Sequence, residues 1–206
     1  MLYKLALKRL IDFVLAMFGS ILIFPIFLLI YLLLLIDYKS SPFFYQVRAG
    51  KEGKAFKIFK FKTMNDLKDS NGNLLPDHER ITKIGGILRK TSLDEIPQLF
   101  NVIKGEMSLI GPRPLYLKYL PYYTKKESIR HSVKPGITGL AQISGRNTIG
   151  WNSRLQKDVE YVEKLSFLLD IKIIFKTIEK VLLSKDVATE MESGILDLDM
   201  ERKTKI

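Results

Sequence analysis

The chain has 206 residues, a formal net charge of +11, 47% apolar and 27% charged residues, and no cysteine. That size suits one domain with an anchor, and the balance of apolar and charged residues excludes a disordered chain. Without cysteine there is no disulfide, no cysteine-based metal site and no thiol nucleophile. A basic surface suits nucleic acid, acidic lipid headgroups or phosphorylated small molecules, and a long apolar segment near the start of the chain argues against nucleic acid.

In chain order, the first feature is that segment, Phe13–Ile36, which carries no charge. It is about twice as long as the apolar part of a signal peptide, and no small-residue cleavage site comes after it. A spanning helix needs about 20 apolar residues, so a simple span is one reading. Two features weigh against it. Lys4, Lys8 and Arg9 precede the segment, while Lys39, Arg48, Lys51 and Lys54 come after it, so the positive-inside rule draws both ends to the cytoplasm. Pro25, near the midpoint, removes the hydrogen bond to the Ile21 carbonyl and bends the helix. The arms Phe13–Phe24 and Ile26–Ile36 would each be roughly 16–18 Å long, about half of a ~30 Å hydrocarbon core. A helix that enters, breaks at Pro25 and returns fits both features. A kinked span stays open beside it.

After the segment, Ser40–Phe61 alternates aromatic and basic residues around Gly50 and Gly53, which predicts short strands joined by a turn. Lys68–Glu79 reads as a surface loop. Ile81–Arg89 and Leu93–Lys104 read as helices, the second ended by Gly105. Prolines 112, 114, 121 and 135 interrupt the chain beyond Gly105, and Asn152–Tyr161 and Leu165–Leu183 are the last predicted helices. Two stretches have interfacial character: Pro114–Lys126, with Tyr116, Tyr119 and Tyr123, and Leu165–Leu183, with Lys172, Lys176 and Lys180 in one stripe. Packing on the domain's own core is the alternative for both, and is favoured for the second.

Three runs could carry chemistry. In Arg89–Pro97, Ser92 and Glu95 have the spacing of a capping box, and acids favour a helix's first turn. The other reading makes Asp94 a nucleophile or metal ligand, with Arg89 nearby to bind phosphate. A carboxylate attacks phosphorus only when a cation offsets the repulsion between the two anions. In Ser108–Pro114, two prolines fix the backbone around Arg113, which suits an oxyanion clamp or simply a rigid turn. In Lys134–Asn147, glycines allow backbone amides near a ligand, and Arg146 and Asn147 supply donors; this is neither a Walker nor a Rossmann fingerprint.

KR at 8–9 with Asp12 after it, FKFKTM at 59–64, SLDEIPQLFNVIKGEMSLIGPRP at 92–114, RHSVKPGITGLAQISGRN at 130–147 and SFLLDIKII at 166–174 occur in order. Together they resemble the small monotopic phosphoglycosyl transferases of bacteria, most closely the PglC type. The resemblance covers about Lys4 to Leu183. It implies an α/β monotopic membrane protein: a re-entrant anchoring helix over 1–38, a cytoplasmic catalytic domain over 39–185 with interfacial amphipathic helices, and a mobile tail over 186–206. It implies residence at the cytoplasmic face of the bacterial inner membrane, in contact with membrane lipids. It also implies transfer of a phosphosugar from a UDP-sugar to undecaprenyl phosphate, releasing UMP, as the first membrane step of glycoconjugate synthesis.

The family's catalytic dyad falls on Asp94 and Glu95. Asp94 would form a covalent phosphosugar intermediate and help hold magnesium. Arg89, Arg113 and Lys60 map onto phosphate-binding positions, and Arg146 and Asn147 onto the nucleotide-sugar region. The short form leans toward N-acetylated UDP-sugars such as bacillosamine derivatives. One departure is Phe24, where the family often has a serine before the break-point proline; the nearest serine here is Ser20. The rival from another class is a membrane-tethered protein that binds anionic lipid without catalysis.

Overall fold

The computed structural model describes Tyr3 and residues 7–38, 40–145, 149–183 and 196–203. Helix α1 spans Lys8–Tyr38, and its helical assignment continues through Pro25. Near its two ends α1 buries a stripe of residues: Asp12, Ala16, Ile30 and Leu34. Elsewhere, large apolar side chains from Phe13 to Ile36 lie exposed. Ser20 donates back to the Ala16 carbonyl at 2.7 Å, so its hydroxyl is not spent on the carbonyl that Pro25 frees.

Both ends of α1 are fastened to the same globular body. At the start, Ala16 packs with Ile58, Val102 and Met107. Asp12 accepts from the Ser108 hydroxyl at 2.7 Å and the Leu109 N–H at 3.3 Å. Lys8 donates to Asp170 at 2.8 Å, and Arg9 to the carbonyls of Val102 and Ile103 at 2.5 and 2.9 Å. At the far end, Ile30 and Leu34 pack with Phe61 and Leu88, and the Tyr38 and Thr82 hydroxyls lie 2.9 Å apart. Lys8 and Arg9, read in the sequence as topology charges, are thus engaged inside the protein.

Strands β1 (Phe43–Ala49) and β2 (Ala55–Phe61) form the expected antiparallel hairpin, with Phe43 opposite Phe61 and Ala49 opposite Ala55. Alternation sorts its faces. Phe43, Tyr45, Phe59 and Phe61 share one face, and Phe27 of α1 lies over it with its ring 5.0 Å from Phe61. Lys60 lies on the other.

The predicted loop 68–79 holds a single turn, α2 (Asp77–Arg80), and leads into α3 (Lys83–Thr91), capped by the Thr82 hydroxyl. The predicted helix Leu93–Lys104 is split. A 3-10 turn at Leu93–Glu95 comes first, then α4 (Gln98–Lys104). Pro97 has no N–H to continue a ladder, and Ser92 adopts a left-handed conformation (φ 57°) that redirects the chain. Strands β3 (Ser108–Ile110) and β4 (Gly136–Thr138) pair in parallel. The remaining described elements are helical: 3-10 turns at Leu117–Tyr122 and Glu127–Ser132, then α5 (Leu140–Ile143), α6 (Trp151–Lys164), α7 (Phe167–Leu182) and α8 (Leu198–Lys203).

Two expectations change against this architecture. The tyrosines of Pro114–Lys126 serve the core: Tyr119 is buried against Trp151 with centroids 5.4 Å apart, and Tyr116 and Tyr123 are partly buried beside the same cluster. In contrast, α7 buries Asp170 and Ile173 yet turns a second apolar stripe outward, with Leu168 79% and Phe175 68% exposed. Packing on the domain's core uses only one of its two apolar faces. Of the tail over 186–206, residues 196–203 carry α8, whose Leu198 is fully buried, and the others lie outside the described residues.

Beside the packing of Val102 on Ile58, one polar side chain pins α4 to the hairpin. Buried Asn101 accepts from the Phe59 N–H at 3.1 Å and donates to the Lys57 carbonyl at 2.7 Å, imitating a strand partner on either side of Ile58. Asn101→Leu would leave both backbone groups unpaired, a loss of about 1–3 kcal/mol for each group left dry. We expect thermal unfolding in detergent to move several degrees lower. An unchanged midpoint would mean that the joint is held by other contacts.

Candidate active site

The dyad lies where α3 ends and α4 begins. The left-handed Ser92 closes α3, and the 3-10 turn after it carries Asp94 and Glu95. The Ser92 side chain makes no capping bond, so the capping-box reading of these residues is not realised. Instead, Lys60 donates to Glu95 at 2.6 Å and stands 3.8 Å from Asp94. Arg113 reaches the same Glu95 oxygen at 3.5 Å. Lys60, Asp94, Glu95 and Arg113, drawn from three separate runs of sequence, therefore meet.

Arg89 joins them through α3. A Cβ on Gly85 would lie 2.0 Å from the Thr63 carbonyl oxygen, so only glycine lets α3 come this close. That approach allows Arg89 Nε to donate to the Thr63 hydroxyl at 2.9 Å. The Arg113 run is positioned by backbone interlock. A Cβ on Gly136 would lie 2.0 Å from the Gly111 nitrogen, so the chain just past β3 lies against the start of β4 at a distance no side chain permits. Gly136, whose run was read from the sequence as a ligand cradle, therefore serves this close backbone approach. Arg130, almost fully buried, donates to the Arg113 carbonyl at 2.6 Å and to Asp158 at 3.0 Å. Removing one partner of such a buried pair costs about 3–5 kcal/mol.

Arg146 and Asn147 lie outside the described residues. The sequence alone does not single out Thr63, Asn101, Arg130 or Asp158. Thr63, Asn101 and Arg130 do stand inside the family's motifs, but a lone polar residue in a run gives no periodic signal of its partner.

Burial pushes the Asp94 carboxyl up to about 6; Lys60 opposes this, Glu95 adds to it, and Arg113 and Arg89 oppose it more weakly. Among the described residues no three acidic or histidine side chains gather into a closed metal cage. Magnesium seldom needs one, because it is commonly held by one or two carboxylates together with substrate phosphates. Asp94 suits that role, since Glu95 takes the shorter contact with Lys60.

Similarity to known proteins runs through the same motifs. Residues 3–184 match the family described as bacterial sugar transferase. The chain is 51% identical over 181 residues to the uncharacterized sugar transferase EpsL of Bacillus subtilis (strain 168), covering 88% of this chain and 90% of that one. It is 39% identical over 192 residues to the UDP-glucose:undecaprenyl-phosphate glucose-1-phosphate transferase of Klebsiella pneumoniae. It is 40% identical over 200 residues to the undecaprenyl-phosphate galactose phosphotransferase of Salmonella typhimurium. Each of the last two matches covers 88% of this chain but 41% of the longer relative.

The cluster predicts a measurable ionisation. In the metal-free protein, the Asp94 carboxyl should be mostly protonated below pH 6 and mostly ionised above it, compared with an ordinary value of about 3.9. Its protonated C=O infrared band, absent in Asp94→Asn, should therefore disappear with a midpoint near pH 6. Lys60→Met removes the strongest opposing charge and should raise the midpoint. A midpoint near 4, or no response to Lys60→Met, would contradict the electrostatics described.

Proposed function

The chain belongs to the bacterial sugar transferase family, and from that premise we propose that it moves a sugar phosphate from a UDP-sugar to undecaprenyl phosphate at the cytoplasmic face of the inner membrane. The observation that carries the reading is the meeting of an acidic dyad with Lys60, Arg89 and Arg113. An anionic nucleophile approaching an anionic diphosphate needs such cations on both sides.

In the proposed reaction an Asp94 carboxylate oxygen attacks the sugar-bearing phosphorus. The bond from that phosphorus to the UMP oxygen breaks, and UMP leaves with the electron pair. A phosphate oxygen of undecaprenyl phosphate then attacks the same phosphorus, releasing Asp94 and forming the lipid diphosphosugar. Arg89, anchored through Nε, presents its terminal amino groups to phosphate oxygens. Arg113 is suited to the same work because a planar fork matches two oxygens at once. Glu95 holds Lys60 and Arg113 in place beside the nucleophile. Arg146 and Asn147 are proposed for the nucleotide-sugar end. Magnesium, when bound at Asp94, supplies charge neutralisation to the diphosphate.

The donor sugar rests on a narrower argument. The relatives whose names state a sugar act with glucose or galactose, which favours these UDP-hexoses over the N-acetylated donors suggested by the chain's short form. The membrane placement rests on α1, which is long and apolar enough to cross a bilayer yet is fastened at both ends to one domain. That double attachment supports a re-entrant helix whose middle, around Pro25, dips into the hydrocarbon. The outward stripe of α7, flanked by Lys172 and Lys176, suits the headgroup layer.

Incubation with UDP-sugar alone should leave a phosphosugar on the peptide carrying Asp94, visible by mass spectrometry. Asp94→Asn keeps the shape and removes the nucleophile, so turnover should fall by about three orders of magnitude or more. Robust turnover by that variant would sink the covalent route. Failure of every UDP-sugar to release UMP in the presence of undecaprenyl phosphate and magnesium would favour the lipid-binding alternative.

A further inference from the structure

The hairpin carries apolar surface that lies outside the core. Strand β1 is its outer strand, because the free edge of β2 is taken by Asn101. At the turn end, the outer edge of β1 is covered as well. Ala49 donates its N–H to the Leu115 carbonyl at 2.9 Å, and Leu115 stands two residues past Arg113. At the end nearer α1, by contrast, Phe44 is 42% and Tyr45 57% exposed. As consecutive strand residues they point to opposite faces of the sheet.

Each face leads somewhere. Tyr45 stacks on Phe59 with centroids 5.0 Å apart; Phe59 lies 4.7 Å from Phe43, and Phe43 5.6 Å from Tyr31 of α1. A run of rings thus joins α1, with its exposed apolar side chains, to the outer strand. On the other face, Phe44 stands directly opposite Lys60, which contacts Glu95 at 2.6 Å and Asp94 at 3.8 Å. Side chains paired in this way have Cβ atoms about 4.5–5.5 Å apart. Apolar surface therefore passes from α1, around the exposed end of β1, to the cation beside the dyad. Arg113 approaches the dyad from the other end of the strand, where Leu115 covers Ala49. From Ala49 to Phe44 the strand measures roughly 17 Å.

We propose that this run of rings is the binding track of the lipid acceptor, whose polyprenyl chain lies along Tyr45 and Phe44 and brings its phosphate to Lys60 from the α1 end. The inference rests on the function proposed above. A phosphate tethered to an isoprenoid chain needs a path to Asp94 that keeps the chain out of water. The exposed end of β1 supplies one, continuous with the apolar surface of α1. Tyr45 lies across the sheet from Lys60 and the dyad, so its contribution is separable from theirs.

The test uses the whole chain in detergent, with UDP-glucose or UDP-galactose, whichever supports turnover. Tyr45→Ser removes the ring on the face away from the dyad. Its kcat/KM for undecaprenyl phosphate should fall about tenfold or more, and at least about five times further than its kcat/KM for the donor. Phe44→Ser should act in the same direction, and Tyr45→Phe, which keeps the ring, should recover most of the loss. Equal losses for donor and acceptor overturn the track, as does an unchanged kcat/KM for undecaprenyl phosphate or a failure of Tyr45→Phe to recover it. A second readout needs no turnover. A polyprenyl phosphate with a photoreactive diazirine in the isoprene units nearest its phosphate should label residues 40–48, which hold both rings, and excess undecaprenyl phosphate should suppress that labelling. Labelling confined to other segments, or suppressed equally by phosphatidylglycerol, overturns the track even in an active enzyme. If wild-type protein turns over no UDP-sugar, the functional reading fails, and the labelling alone then decides whether the track binds the lipid phosphate.

Discussion

Everything else in this protein depends on the attachment of α1 to one globular domain at both ends. Near its start, Asp12, Lys8 and Arg9 tie the helix to β3, α7 and the C-terminal carbonyls of α4. At its end, Ile30, Leu34 and Tyr38 tie it to the hairpin and to the start of α3. A buried carboxylate such as Asp12 is tolerable only because its oxygens meet a hydroxyl, an N–H and a lysine. Charges satisfied in this way cannot be pulled away from the domain without leaving unpaired groups behind. The helix and the domain therefore form one body.

The same attachment reaches the chemistry. Arg9 grips the C-terminal end of α4, and Asn101 sews the middle of α4 to β2. The dyad sits immediately before α4, and Lys60 sits on β2. Holding α4 against β2 therefore sets the distance between the carboxylates and their cation. Arg113 arrives by a separate route, through the close approach of Gly111 to Gly136 and the carbonyl held by Arg130. Placing carboxylates among cations at a partly dry site opposes two effects. Burial raises the Asp94 carboxyl, while the cations keep it ionisable near neutral pH.

Much of this was legible in the sequence, because its signals are local. The charge-free run, the alternating aromatics of the hairpin and the helix starts come from period and punctuation. The motif runs led to Lys60, Arg89, Asp94, Glu95 and Arg113, four of which meet through ion pairs and the fifth through its influence on Asp94. What was not legible depends on partners far away in the chain. Asn101 reads as an ordinary helical residue until β2 lies beside it. Gly136 reads as ligand-facing until its close approach to Gly111 accounts for it. The tyrosines of 116–123 have interfacial spacing, but Trp151 and Leu198 turn them inward. Lys8 and Arg9 read as topology charges because a sequence does not disclose that Asp170 and the end of α4 consume them.

The most direct test concerns the side of the membrane on which the two ends of α1 lie. The chain has no cysteine, so single cysteines at Leu7 and Ser40, which flank the helix, can be labelled without background. If both ends share the domain's side, each should react with a membrane-impermeant maleimide only after the inner membrane is opened, and to similar extents. Labelling of either one in intact spheroplasts, with the other protected, would place the ends on opposite sides and contradict the double attachment.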